Sequence, residues 1–302
     1  MMRQDDRRFR LDFIVEEDSI LLRNFLQRKG ISKKTLTATK YEGGAILVNG
    51  KEQTVRYLVG MGDTVSVLFP LEEPSEGLTP QEGELQVVYE DGSLLILDKP
   101  AGVATIPSRD QPSGTIANVV AGKFRRERVP STVHVVTRLD RDTSGLLCIA
   151  KNRHIHHLLS DQMEKIGFHR QYIAFVEGHV SETSFTIERP IGRKDGSIIE
   201  RTVREDGQYA RTDVQVLGFH EKEGCQYTEV MLILHTGRTH QIRVHMQSLG
   251  HPLVGDDLYG GSLLLSSRQA LHCASIGFNH PLTGHPLRFS SGLPLDLKRL
   301  AT

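Results

Sequence analysis

Apolar positions near the N-terminus follow two periods in succession. Ile20, Leu21, Leu22, Phe25 and Leu26 recur at a helical spacing, and Ser32, a good helix-capping residue, predicts the start of a second helix. From Gly43 the pattern shifts to short apolar runs, GGAILVNGKEQTVRYLVGMGDTVSVLF, which read as strands with a tight hairpin at Asn49-Gly50. Two helices and a small sheet make a compact unit over residues 11–70. PLEEPSEGLTPQEGE, starting at Pro70, mixes proline, glycine and acids without apolar periodicity and reads as a linker over 71–84.

Residues 85–302 carry more strand than helix. LQVVYEDGSLLILDKPAGV predicts two strands about a turn at Asp91-Gly92, and HVVTRLD and GLLCIAK predict two more around a polar loop. QYIAFVEGHV, TDVQVLGF and TEVMLILHT are further strand candidates, whereas HIHHLLSDQMEKIG and THQIRVHMQSLG read as helices, the second ended by glycine. Strands do not alternate regularly with helices. The expected class is α+β, with a central mixed or antiparallel sheet flanked by helices and a cleft, and no doubly wound architecture.

Composition removes several function classes. A chain of 302 residues, 38% hydrophobic and 25% charged, is an ordinary globular protein, and no apolar run reaches the ~20 residues of a spanning helix. The N-terminus MMRQDDRRFR lacks the apolar core of a signal peptide. Cys148, Cys225 and Cys273 are scattered and odd in number, which excludes a disulfide framework and fits the cytoplasm. Thirty-seven basic residues balance thirty-seven acidic ones. Locally the balance disappears. Arg23, Arg28, Lys29, Lys33, Lys34 and Lys40 give residues 21–40 a charge of +6, the nine acids between Arg56 and Lys99 stand without a cation, and KFRRER at 123–128 adds a net +3. Such asymmetry points to polyanion contact at the basic parts, although solvated helix faces explain charge alone equally well.

Three segments carry candidate chemistry. In RLDRDTSGLL, Arg138 and Asp140 flank Leu139, so an extended chain puts both on one face. The following Asp142-Thr143-Ser144 is accounted for by a turn. In HTGRTHQIRVHMQSLGHPLVGDDLYG, His240 and His245 stand five apart with no acid between them, the wrong spacing for a helical zinc pair. Arg243 is placed to meet a carboxylate such as Asp140. Tyr172 opens an apolar strand, a position filled more often by core residues than by stacking platforms. A hydrolase built on Ser144, Asp140 and His240 lacks the usual nucleophile elbow.

Taken together, DKPAGV (98–103), RLDRDTSGLLCIAK (138–151), RQYIAFVEG (170–178), PIGR (190–193), TGRTHQIRVH (236–245), GHPLVGDDLYG (250–260) and RQALHCASIGFNHPLTG (268–284) resemble the RluA-like pseudouridine synthases, in order, from about 86 to 290. The N-terminal unit resembles the S-four-like RNA-binding module, through Leu22-Arg23, Ser32-Lys33-Lys34, the VNGK turn and GMGD. The resemblance implies isomerisation of uridine in structured RNA without metal or organic cofactor. It assigns Asp140 as the catalytic carboxylate, Arg243 as its partner and Tyr172 as the aromatic stacked on an extruded uracil. Arg138, Arg141, Arg238 and His240 around the site, with Arg23, Lys33 and Lys34 in the head, are the expected RNA contacts. Thr137 stands where the family commonly has histidine, and Arg170 where it has lysine. Ribosomal RNA is the first expected partner and tRNA the second, for a monomeric cytoplasmic enzyme; a non-catalytic RNA-binding or ribosome-assembly factor is the alternative.

Overall fold

A computed structural model describes residues 7–165 and 167–302 of the chain. Residues 1–6 of the charged N-terminal stretch, and Ile166 within the segment read as helical up to Gly167, lie outside the described residues. Near the N-terminus Arg10–Ile14, Thr64–Leu68, Ala45–Val48 and Lys51–Glu52 form an antiparallel sheet in that spatial order. Helices Leu22–Arg28 and Lys33–Tyr41 share a core with it, in which Leu22, Phe25, Leu26 and Ile31 meet Val65 and Val67. Asn49 and Gly50 both take positive φ (49° and 77°), as the tight hairpin requires. Ser32 caps the second helix through a bond from the Thr35 amide. The first helix is shorter than its apolar spacing predicts. Ile20 and Leu21 pair with Leu58 and Val59 as a short strand, and the carbonyls of Tyr57 and Val55 then take the Leu22 and Arg23 amides at the helix start.

The larger part is built on a ten-stranded mixed sheet. Its main path runs Ser184–Glu188, Arg211–Lys222, Cys225–Leu234, Phe168–Glu177, Leu271–Asn279, Ser144–Ala150, Leu94–Lys99 and Val87–Glu90. All neighbours are antiparallel except Ser144–Ala150 beside Leu271–Asn279, which meet in parallel at Ser144/His272 and Gly145/Cys273. The continuous apolar runs LLIL and LLCI follow from burial on both faces. Leu94, Ile96, Leu146 and Cys148 face the main core with helix Arg153–Glu164, whereas Leu95, Leu97, Leu147 and Ile149 face helix Ile116–Glu127.

That last helix corrects the sequence reading, which saw only a basic insertion there. Gly122 and the charged KFRRER conceal its periodicity, and Gly122 is required because a Cβ there would lie 2.0 Å from the Gln81 carbonyl oxygen. Its cations face the acidic stretch: Lys123 pairs with Glu90 at 3.0 Å and Arg126 with Glu82 at 2.6 Å. Part of the charge asymmetry is thus cancelled within the protein. HVVTRLD is also less regular than predicted. Only His134–Val135 is strand, since the amides of Val136 and Thr137 both turn to the Cys148 carbonyl and Thr137 Oγ1 accepts from the Cys148 amide. Among the described residues no helix is long and apolar enough to cross a membrane.

Phe69 of the head stacks on His154 with ring centroids 4.9 Å apart. Glu72 accepts from the Arg153 amide at 2.8 Å at the start of helix Arg153–Glu164 and contacts the His134 ring. His154 is buried, and among the described residues both its ring nitrogens lack a hydrogen-bond partner. Burial pulls its pKa from the usual 6.5 down to about 4. The unfolded chain takes up this proton near pH 6.5 and the folded chain only near 4, so stability rises with pH across that window. About 3 kcal/mol is expected to be lost between pH 6.5 and 4. Urea titrations at several pH values should show this acid loss in the wild type and a shallower one in His154→Phe. Equal slopes would count against it.

Candidate active site

Residues 136–143 cross from His134–Val135 to the buried strand Ser144–Ala150, and distant segments hold their backbone. Thr105 Oγ1 donates to the Leu139 carbonyl at 2.7 Å and accepts from the Leu139 amide at 3.1 Å. The Thr143 amide donates to the Asp140 carbonyl at 3.1 Å. Lys99 Nζ donates to the Arg141 carbonyl at 2.9 Å, and Arg268 Nη1 to the Asp142 carbonyl at 2.9 Å while its Nε pairs with Asp296. Each carbonyl from Leu139 to Asp142 therefore has a fixed donor. A loop restrained this way holds a side chain as firmly as a strand does. Lys99 is itself buried, and burial lowers its pKa to about 8 against the opposing pull of Asp142 and Asp140.

Asp140 meets Arg243, whose Nη1 lies 3.2 Å from Asp140 Oδ2. Arg243 stands on helix Gln241–Gln247 and is itself buried. Its Nε and Nη2 each donate to Asp256 at 2.7 Å, a two-pronged grip on a buried carboxylate, and Tyr259 lies 4.9 Å under the guanidinium carbon. Burial works against the charge, but bonds from Asp256 and the attraction of Asp256 and Asp140 outweigh it and push the Arg243 pKa up. His240 precedes this helix in a left-handed conformation (φ 57°). Its Nδ1 lies 2.8 Å from the Tyr259 hydroxyl and its Nε2 3.9 Å from Asp140 Oδ2; burial lowers its pKa.

Tyr172 lies on Phe168–Glu177 opposite Cys273, where the neighbouring strand bulges at Ala274. Tyr172 lines a cleft of about 330 Å³ with Asp140, Thr105, Arg138, Arg170 and Leu234. Burial raises its pKa well above the usual value, with the Cys273 thiol adding to the effect.

The sequence candidates separate into groups. Asp140, Tyr172, Arg138, Arg141 and Arg238 border one cleft, and Arg243 buttresses Asp140 from behind. Arg138 is exposed, Arg141 pairs with Asp142 at 2.9 Å, and Arg238 Nε donates to the Tyr209 carbonyl. His240 is half-buried in the wall beside Asp140. Arg23, Lys33 and Lys34 are exposed on the head, apart from this cleft. His245 turns to Thr212 and the Arg189 carbonyl and does not converge with His240. Ser144 is buried against His272 Nδ1 (3.0 Å) and Arg268 in the sheet, so the Ser144, Asp140 and His240 hydrolase is not assembled. Sequence reasoning did not single out Lys99, Asp256, Tyr259 and Arg268, although DKPAG and GDDLYG were in view.

The fold and cleft define an α+β enzyme that presents a carboxylate, steadied by a buried arginine, beneath an aromatic wall. Residues 93–248 match the family model described as RNA pseudouridylate synthase. The chain is 46% identical over 271 residues to the RNA pseudouridine synthase YjbO of Bacillus subtilis (strain 168), covering 90% of this chain and 94% of that one. It is 36% identical over 273 residues to the ribosomal large subunit pseudouridine synthase D of Xanthomonas campestris pv. campestris, with 86% and 81% covered. Human RNA pseudouridylate synthase domain containing 1 aligns in three dimensions with a TM-score of 0.58 at 27% identity, over 74% of this chain and 86% of that one. The chain belongs to the RluA-like family of RNA pseudouridine synthases, which are isomerases.

Proposed function

We propose that this enzyme isomerises a uridine of large-subunit ribosomal RNA, with tRNA as the second candidate, and that Asp140 is its catalytic carboxylate. The observation that carries this reading is the Asp140–Arg243 contact of 3.2 Å at a cleft bordered by Tyr172. The reaction breaks the C1′–N1 bond, turns the base within the cleft and joins C5 to C1′; C5 loses a proton and N1 gains one. Asp140 has two roles compatible with this geometry, attack on C1′ or removal of a sugar proton. Tyr172 is assigned to stack on the uracil. Arg138 and Arg141 hold the phosphates that flank the extruded nucleotide. The ribosomal assignment follows the name of the Xanthomonas relative. Release of tritium from C5-labelled uridine in large-subunit transcripts, with transfer RNA transcripts in parallel, tests the target. Release from neither would sink the reading.

The head serves in this proposal as an S-four-like RNA-binding module of a monomeric cytoplasmic enzyme. Lys33 and Lys34 are exposed and line the groove between head and catalytic part. Each phosphate contact made on single-stranded RNA contributes roughly 0.7 to the slope of log affinity against log salt. The Lys33→Ala/Lys34→Ala variant should bind the transcript more weakly at low salt, with a slope shallower by about 1.4. Filter binding across a salt series reads both. An unchanged slope assigns the pair to the solvent.

A further inference from the structure

Arg170 stands two positions before Tyr172 on Phe168–Glu177, on the same side of the strand, and lines the same cleft. Only 6% of it is exposed. A guanidinium has five N–H donors. Among the described residues, Arg170 spends Nη2 on the carbonyls of Leu234 and Thr236 at 3.4 and 3.3 Å, the long end of hydrogen bonding, and its Nε is buried with no acceptor. Both partners are main-chain carbonyls. Asp140, the carboxylate that lines the cleft with Arg170, is engaged by Arg243. Gly237 keeps the space beside Nη1 clear, because a Cβ there would stand 2.9 Å from it. A buried cation whose donors are not matched by acceptors of the protein is unfavourable and calls for an acceptor from a ligand.

We infer that Arg170 is a catalytic residue that donates to a uracil carbonyl oxygen and stabilises the negative charge the ring acquires as the C1′–N1 bond breaks. The inference rests on the proposed reading of the cleft. The electron pair of the broken bond passes to N1 and spreads over O2 and O4. The sugar is satisfied either by a new bond from an Asp140 oxygen to C1′, or by loss of the C2′ proton to Asp140 with formation of a C1′–C2′ double bond. By either route the base leaves as a monoanion, and no proton moves to or from Arg170. A donor already in place where charge develops, in a site that excludes water, is worth ~10²–10³ in rate. Arginine offers this as a fixed fork; the lysine common at this position offers the charge on a flexible stem.

Leaving-group dependence separates this role from a structural one. Large-subunit and transfer RNA transcripts are prepared with UTP or with 5-fluoro-UTP, whose ring anion is intrinsically more stable. Single-turnover loss of the N-glycoside is then followed by nucleoside digestion and mass spectrometry; uridine gives its C-glycoside isomer, whereas 5-fluorouridine, with no C5 proton to lose, gives a C-glycoside that keeps fluorine and takes up one water at C6. Arg170→Met should slow the uridine reaction by ~10²–10³-fold and the 5-fluorouridine reaction by at least tenfold less, about one order of magnitude of recovery. Arg170→Lys should keep the wild-type ratio between the two substrates. Arg170→Gln, which retains a donor for the Leu234 and Thr236 carbonyls, carries the same comparison if the methionine variant does not fold. Equal losses on both substrates, or unchanged rates in the neutral variants, would overturn the assignment while leaving Asp140 chemistry intact. A wild-type protein that converts neither transcript overturns the reading of the cleft and this inference with it.

Discussion

Asp140→Asn is expected to lower pseudouridine formation by ~10⁴-fold or more while leaving the fold unchanged. The amide matches the carboxylate in shape and still offers Arg243 an acceptor oxygen. It can neither bond to C1′ as an anion nor take up a sugar proton. Arg243 retains both bonds to Asp256, so no buried cation is stranded, and thermal unfolding should stay within a few degrees of wild type. Tritium release and nucleoside mass spectrometry measure the loss. Activity within tenfold of wild type would remove Asp140 from the chemistry. A strain carrying this variant adds a second result: full cellular function without turnover would move the biological role to RNA binding.

Asp256→Asn should have the largest effect on stability, about 3–5 kcal/mol. Asp256 is buried and supplies two of the charged contacts that Arg243 makes, so its neutralisation leaves a guanidinium in the interior with Asp140 alone as carboxylate partner. Arg243 then competes between an amide and Asp140, and turnover should fall together with stability. The double variant Asp256→Asn/Arg243→Gln distinguishes the two effects. With the unpaired charge gone it should regain part of the stability, yet it should stay inactive because Asp140 has lost its partner. Urea unfolding and single-turnover assays on the same samples provide the comparison. A loss below 1 kcal/mol in the single variant would show that Asp256 is dispensable to the interior.

The parts of the fold that were legible in the sequence are those that local pattern controls. The Asn49-Gly50 hairpin needs two positive φ angles, the Ser32 cap needs one hydroxyl, and the excess of strands in 85–302 is a matter of apolar runs. Helix Ile116–Glu127 was hidden because its glycine answers a contact with Gln81, far away in sequence. The meeting of Asp140 and Arg243 was visible from residue types and motif order. What surrounds it was not. Asp256, Lys99 and Arg268 are ordinary charged residues until folding buries them, and no period or spacing announces that a lysine will donate to three backbone carbonyls. The place of His240 against Asp140 was hidden for the same reason, since it depends on the left-handed turn before helix Gln241–Gln247.

Part of the support beneath the Asp140 loop comes from residues far downstream of it. Arg268 reaches the Asp142 carbonyl and is anchored by Asp296, and the strand Leu271–Asn279 lies against Gly145, where a φ of 109° and a Cβ-free approach let the Cys273 carbonyl in close. During synthesis the Asp140 loop emerges well before its clamp, since Arg268 follows Asp142 by 126 residues. The head, with its core confined to residues 15–69, is complete while the catalytic loop still waits for its clamp. Ordering the head and ordering the catalytic loop therefore draw on separate stretches of sequence, the first local and the second spanning more than a hundred residues.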